Sequence, residues 1–220
     1  MIIQKRNFRP LPRNRENTKH DRILQAAVKV FAQKGFYNAK VSEIAREAKV
    51  ADGTIYLYFK SKDDILIHIF EEEMEKIIRT MRSKLSEVED PIEKLRVFVN
   101  THLGLVESNP DMAEVIQVEL RQSNKFMKHY ENRKFHEYLD ILADIVAQGQ
   151  REGLIRSGIS PSVAKRVIFG ALDEMSTYWV FSKGRKRPLK EICSQVFEIL
   201  ARGLMAQGQR GAAEGMALGS

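Results

Sequence analysis

The 220-residue chain has one cysteine, Cys193, which excludes an intramolecular disulfide framework and fits a reducing, cytoplasmic setting. It has no apolar run approaching roughly 18 residues, so no membrane span is expected. The opening MIIQKRNFRPLPRNR lacks the apolar stretch of a secretory signal. Nothing alternates as a strand. There is no P-loop, no GxGxxG and no CxxC. The five histidines (His20, His68, His102, His129, His136) show no Glu-x-x-His spacing of the kind that builds a di-iron site in a helical bundle. No serine–histidine or cysteine–histidine constellation stands out either. An enzyme, a metal and a cofactor are all unsupported, and Cys193 lies on an apolar helical stripe where burial is its expected role.

Positive charge is present, and it is unevenly placed. Residues 1–70 carry 14 Lys/Arg against 7 Asp/Glu, and residues 71–220 carry 22 of each. The whole formal excess of +7 therefore sits in the first third. A basic front on a neutral body points to a polyanion-binding module joined to a part with a different task.

Helical period runs through almost every segment, which gives an all-α fold of about nine helices. Residues 1–19 are basic, proline-containing and aperiodic, and read as a flexible arm. That arm (Lys5, Arg6, Arg9, Arg13, Arg15, Lys19) is open to two roles, minor-groove entry or a solubilising tail. Ile23, Leu24, Ala27, Val28 and Phe31 form the first amphipathic stripe, and Gly35 sits where a helix end takes a left-handed residue. Val41, Ile44, Ala45 and Ala48 make a second, short helix, and about 52–58 a third. Ser61 is suited to cap a fourth helix that runs past residue 80, with Asp63 and Asp64 in its first turn. Longer helices follow from Pro91 to Asn109-Pro110, over about 111–124, over about 126–152 to Gly153, from Pro161 onward, and from about 189 onward after the basic stretch KGRKRP at 183–188. The Gly- and Ala-rich tail from Gln207 is expected not to order.

The second and third short helices have helix-turn-helix dimensions, with the motif at about 42–61 inside a domain at 20–66. Ile44, Ala45, Val50 and Ile55 would lock the pair, and Phe59 joins them as core. Asp52, Gly53, Thr54, Tyr56, Leu57 and Tyr58 are left facing outward. Thr54 offers a hydroxyl or a methyl to base edges, and the tyrosine hydroxyls reach phosphate oxygens. Tyr56 and Tyr58 lie two apart and cannot share one helix face, so one is open to partial burial. Gly53 keeps the helix slim. Lys62, at the start of the fourth helix, would combine its charge with free N–H groups to hold a phosphate. Lys60 reads as a solvated charge.

From Ile23 to Phe70, on AAVKVFAQKGF and VSEIAREAKVADGTIYLYFKSKDDIL, the chain resembles the TetR family of transcriptional regulators. The resemblance implies contacts to double-stranded operator DNA from Gly53, Thr54, Tyr56, Tyr58 and Lys62, with Lys40 near the DNA backbone. It departs from the family at three places. Lys49 stands where the turn usually has glycine, which asks a non-glycine residue to adopt a left-handed conformation. Ala51 stands where serine often caps the recognition helix, and Lys40 where threonine caps the helix before it. These departures touch rigidity rather than the outward face.

The remaining helices, 67–206, are expected to bind a ligand and to dimerise. A helix-turn-helix reads few base pairs alone and pairs across a palindrome. The last two helices, with broad apolar stripes, are the natural surface for a homodimer, and in the TetR family they form it. Leu103, Val106, Ile116, Leu120, Phe126, Met127, Tyr130, Leu142, Phe169, Leu172 and Trp179 supply apolar lining or simply core. Two stretches, EVIQVELRQSN at 114–124 and IFGALDEMSTYWV at 168–180, resemble the acyl-CoA-responsive repressors of fatty-acid degradation within that family. They imply a long-chain acyl-CoA inducer, with Arg121 or the 183–187 loop available to its phosphates. Arg121 can equally pair with Glu119 or Asp173. The expected ligand set is therefore Leu103, Ile116, Leu120, Arg121, Phe169, Asp173 and Trp179. Two alternatives stand beside it. One is a TetR-type regulator of an efflux or other metabolic gene with a different lipophilic inducer. The other is a helical small-molecule or protein binder with a vestigial basic front.

Overall fold

The computed structural model describes residues 19–119, 133–182 and 188–206. The arm before Lys19, the stretch holding Leu120, Arg121, Phe126, Met127 and Tyr130, the 183–187 loop and the tail lie outside the described residues. Within them are nine α-helices: α1 Lys19–Lys34, α2 Val41–Glu47, α3 Asp52–Tyr58, α4 Lys62–Leu85, α5 Pro91–Ser108, α6 Pro110–Glu114, α7 Arg133–Arg151, α8 Pro161–Phe181 and α9 Leu189–Leu204. Of the segment expected as one helix over 111–124, the described part is α6 followed by a π-helical stretch, Val115–Glu119. No described helix is long and apolar enough to cross a membrane.

Local chemistry sets the helix ends. Ser61 Oγ accepts from the Asp64 N–H at 3.1 Å, while the Lys60 N–H donates to Asp64 Oδ2 at 2.8 Å, a reciprocal cap for α4. Asp90 caps α5 through the Glu93 N–H at 2.7 Å and Asn109 caps α6 through the Met112 N–H at 3.2 Å, each followed by a first-turn proline. Gly35 and Gly153 take positive φ after α1 and α7, as their positions suggested. Beyond α9, Arg156 N–H donates to Leu204 O and Ala206 N–H to Leu154 O, both at 3.0 Å, so the chain after the last helix is tied to the α7–α8 loop.

Two cores form. Ile23, Ala27, Phe31, Ile44, Ala45, Ile55, Phe59, Ile65, Leu66 and Ile69 close the N-terminal one, and Val115 from the π segment completes it. Phe70 begins the other, which joins the rest of α4 to α5, α7, α8 and α9. Helix α4 thus belongs to both. With 24 residues it is a shaft of roughly 36 Å. His20 adds a polar tie between α1 and α4. Its Nδ1 lies 3.5 Å from Asp21 and 3.7 Å from Glu72, and its ring packs 5.0 Å from that of Phe59.

Candidate nucleic-acid interface and ligand cavity

The turn between α2 and α3 has the predicted strain: Lys49 sits at φ 55°. Arg22 holds it. Its guanidinium donates from α1 to Ala48 O at 2.6 Å and to Lys49 O at 3.3 Å, satisfying carbonyls that the end of α2 leaves open. Ala51 brings no side-chain cap to α3, and the Thr54 N–H donates to its carbonyl at 2.8 Å instead. At the start of α2 the Lys40 N–H donates to Glu43 Oε2 at 3.0 Å, which is half of a capping box. Lys34 reaches the other Glu43 oxygen at 2.5 Å, and these two contacts hold the Glu43 carboxyl below its usual range.

Helix α3 is one-sided. Ile55 and the following Phe59 are buried, whereas Leu57 is 82% exposed, Tyr56 60% and Tyr58 41%. Tyr58 is the partly covered tyrosine, its ring edge facing His20 at 6.2 Å. Asp52 and Gly53 are exposed and Thr54 half-buried. A Cβ on Gly53 would meet nothing within 4 Å, so packing within the described chain does not require a glycine there. Lys40, at the start of α2, is exposed as well.

Lys62 departs from expectation. Its ammonium donates to the carbonyls of Phe36 (2.5 Å), Tyr37 (3.1 Å) and Ala39 (2.9 Å) and sits 4.6 Å from the centre of the Phe36 ring. An ammonium has three hydrogens, and all three are used. The side chain pins the turn before α2 with all three of its hydrogens and keeps its positive charge there.

In the body, a cavity of about 370 Å³ opens between α4, α5, α6, α7 and α8. Phe70, Met74 and Ile77 form one wall, with Leu105, Val106, Met112, Ala113, Ile116, Phe135 and Phe169 around it. Polar groups are few: Glu73, His102, Ser108, Asn109, Gln117, Tyr138 and Asp173. Gln117 is held by the Thr177 hydroxyl at 3.2 Å. His102 and Tyr138 face each other at 2.8 Å from Nδ1 to the phenol oxygen. Burial lowers His102 to about 4 and pushes the Tyr138 phenol above its ordinary range, so both are neutral at physiological pH. The size and the apolar lining are those of a small-molecule site.

Of the expected ligand residues, Ile116, Phe169 and Asp173 line this cavity. Leu103 does not: on α5 the lining is His102, Leu105, Val106 and Ser108, and Leu103 is packed in the body core, 1% exposed. Trp179 packs against the body core but does not line the cavity, being six residues past Asp173 and two thirds of a turn round from it.

A bacterial regulatory protein family, tetR, matches residues 23–69, and a YsiA-like protein C-terminal region matches 70–203. The chain belongs to the TetR family. Its fold is shared by a FadR fatty-acid-degradation regulator of Bacillus halodurans (TM-score 0.80, 38% identity, covering 86% of this chain and 98% of that one). It is also shared by the FadR transcriptional regulator of Bacillus subtilis crystallised with stearoyl-CoA (TM-score 0.79, 40% identity, covering 84% and 98%). In sequence, the chain is 40% identical over 186 residues to the fatty acid metabolism regulator protein of Bacillus subtilis, covering 84% of this chain and 95% of that one. Sequence reasoning missed Arg22, His102 and Tyr138. Only the periodicity of α5, read from a known lining position, could have pointed to His102.

Proposed function

We propose that the chain is a cytoplasmic repressor of fatty-acid degradation that binds palindromic operator DNA as a homodimer and is released by long-chain acyl-CoA. The observation that carries this is the shared segment between cavity and reading head. Ala113, Ile116 and Gln117 line the cavity, while Val115, between them, is fully buried in the N-terminal core. Met112 serves both. A ligand that displaces the cavity side of this segment pushes on the core against which α2 and α3 are set.

On DNA, Thr54 and Leu57 face base edges, Tyr56 and Tyr58 with Lys40 face the phosphates, and Gly53 admits close approach. Phosphate contact at α4 falls to its first-turn N–H groups, since the Lys62 ammonium is engaged. Pairing follows α8 and α9, where Val163, Val167, Tyr178, Phe181 and Ile199 leave large apolar side chains exposed. Two recognition helices then reach successive major grooves about 34 Å apart.

The ligand acts only through a difference between states. Burying about four more methylenes in the released state is worth about 3 kcal/mol, which shifts the equilibrium on the order of 100-fold. Native mass spectrometry of the purified protein with added stearoyl-CoA tests the assembly. A dimer that takes up one acyl-CoA per subunit is expected, and a monomer, or a dimer that takes up none, overturns it.

A further inference from the structure

We infer that the His102–Tyr138 pair reads the carbonyl oxygen of a bound acyl thioester, so that the cavity prefers the thioester over both the free fatty acid and a chain without a carbonyl. This rests on the acyl-CoA reading above and adds which atoms select the ligand.

The pair stands in a mainly apolar wall, whose other polar lining is Glu73, Ser108, Asn109, Gln117 and Asp173. His102 lies on α5 seven residues before Asn109, roughly 10 Å along the helix from the exposed Ser108–Asn109 corner. Its ring is fixed, stacked over Phe98 at 6.3 Å, met edge-on by Phe169 at 5.8 Å and stacked with Tyr138 at 5.9 Å.

The hydrogens can be counted. A neutral imidazole carries one N–H and a phenol one O–H, and the 2.8 Å bond between them consumes one of the two. Whichever tautomer is present, one hydrogen remains to be donated outside the pair. Both side chains line the cavity. A saturated chain cannot accept that hydrogen and leaves a desolvated donor unpaired. A carbonyl oxygen accepts it.

The same neutrality disfavours a free carboxylate. Neither ring carries charge at physiological pH, and no described lysine or arginine lines the cavity. A carboxylate drawn to this depth would be a buried anion without a cation, whereas a thioester presents an uncharged acceptor.

The test compares stearoyl-CoA, S-octadecyl-CoA (the thioether, lacking only the carbonyl oxygen) and stearate by calorimetric titration. In the wild type the thioester is expected to bind about 10-fold tighter than the thioether, with stearate weaker than both. The double variant His102→Leu/Tyr138→Phe removes both partners together, which leaves no orphaned group, so folding and operator binding are expected to persist. In it the thioester and thioether should bind within about 3-fold of each other. Equal affinities in the wild type, or an undiminished gap in a double variant that still melts cooperatively and binds operator, overturn the inference while leaving acyl-CoA as inducer. Failure of all three ligands to bind wild type overturns the acyl-CoA reading itself.

Discussion

Replacing Lys62 with methionine separates two roles that one residue could fill at this place in the fold. The ammonium bonds to Phe36 O, Tyr37 O and Ala39 O at 2.5, 3.1 and 2.9 Å, and the carbonyls of Phe36 and Ala39 are partly buried. Hydrogen bonds to a charged group contribute about 1.5–3 kcal/mol, and carbonyls left without partners add to the loss. Methionine keeps much of the contact with the Phe36 ring. A net destabilisation of about 3 kcal/mol follows, which for a chain of this size lowers Tm by roughly 6–12 °C. The companion assay is the salt dependence of operator affinity by fluorescence anisotropy. Each phosphate contact contributes about −0.9 to the slope of log K against log salt. With all three ammonium hydrogens engaged inside the protein, the slope should stay the same while stability falls. A slope shallower by about one per half-site, with Tm unchanged, would show that the ammonium reaches DNA and that its three carbonyl bonds are dispensable.

Tyr56→Phe should weaken operator binding by roughly 3- to 10-fold with Tm unchanged; equal affinity would remove that hydroxyl from the interface. Tyr58→Phe, in the partly covered position, should have the smaller effect in the same assay. Gly149→Ala should cost about 1–3 kcal/mol in denaturant unfolding, because the added Cβ would lie 2.6 Å from Ile155 Cδ1 and 2.7 Å from Cγ1. A neutral result would mean that Ile155, itself buried, moves aside freely. His102 is held neutral by burial, with its pKa lowered from 6.5 to about 4. The unfolded chain therefore binds the extra proton between those values, so stability is full above about pH 6.5 and declines as pH falls toward about 4, by up to about 3 kcal/mol. His102→Leu should flatten that part of the pH–stability curve, and an unchanged curve would assign the acid sensitivity elsewhere.

The reading head was largely legible because its determinants are local. The alternation of Ile44 and Ala45 with exposed neighbours, Ser61 followed by an aspartate three residues on, and a turn that forces Lys49 to positive φ all lie within short stretches of chain. What escaped notice spans greater separations. Arg22 reaches carbonyls 26 and 27 residues away, Lys62 reaches 23 to 26 residues back, and His102 finds Tyr138 across 36. The body shows a second limit. Helix α5 is apolar over more than half its circumference, and its period cannot say which apolar positions face a void and which face packed neighbours. Leu103 was therefore placed at the ligand while Leu105, two residues on, is what lines the cavity. From Val115 to Glu119 the π-helical turn changes the register, so a 3.6-residue wheel continued from α6 misplaces these residues.

Coupling between the cavity and α3 is tested most directly by titrating stearoyl-CoA into a complex of the dimer with fluorescent palindromic DNA and following anisotropy. A fall to the free-DNA value, saturating at one acyl-CoA per subunit and abolished when Ile116→Trp fills the cavity, is the predicted result. DNA that stays bound at saturating acyl-CoA, or an Ile116→Trp protein released as readily as wild type, would contradict it.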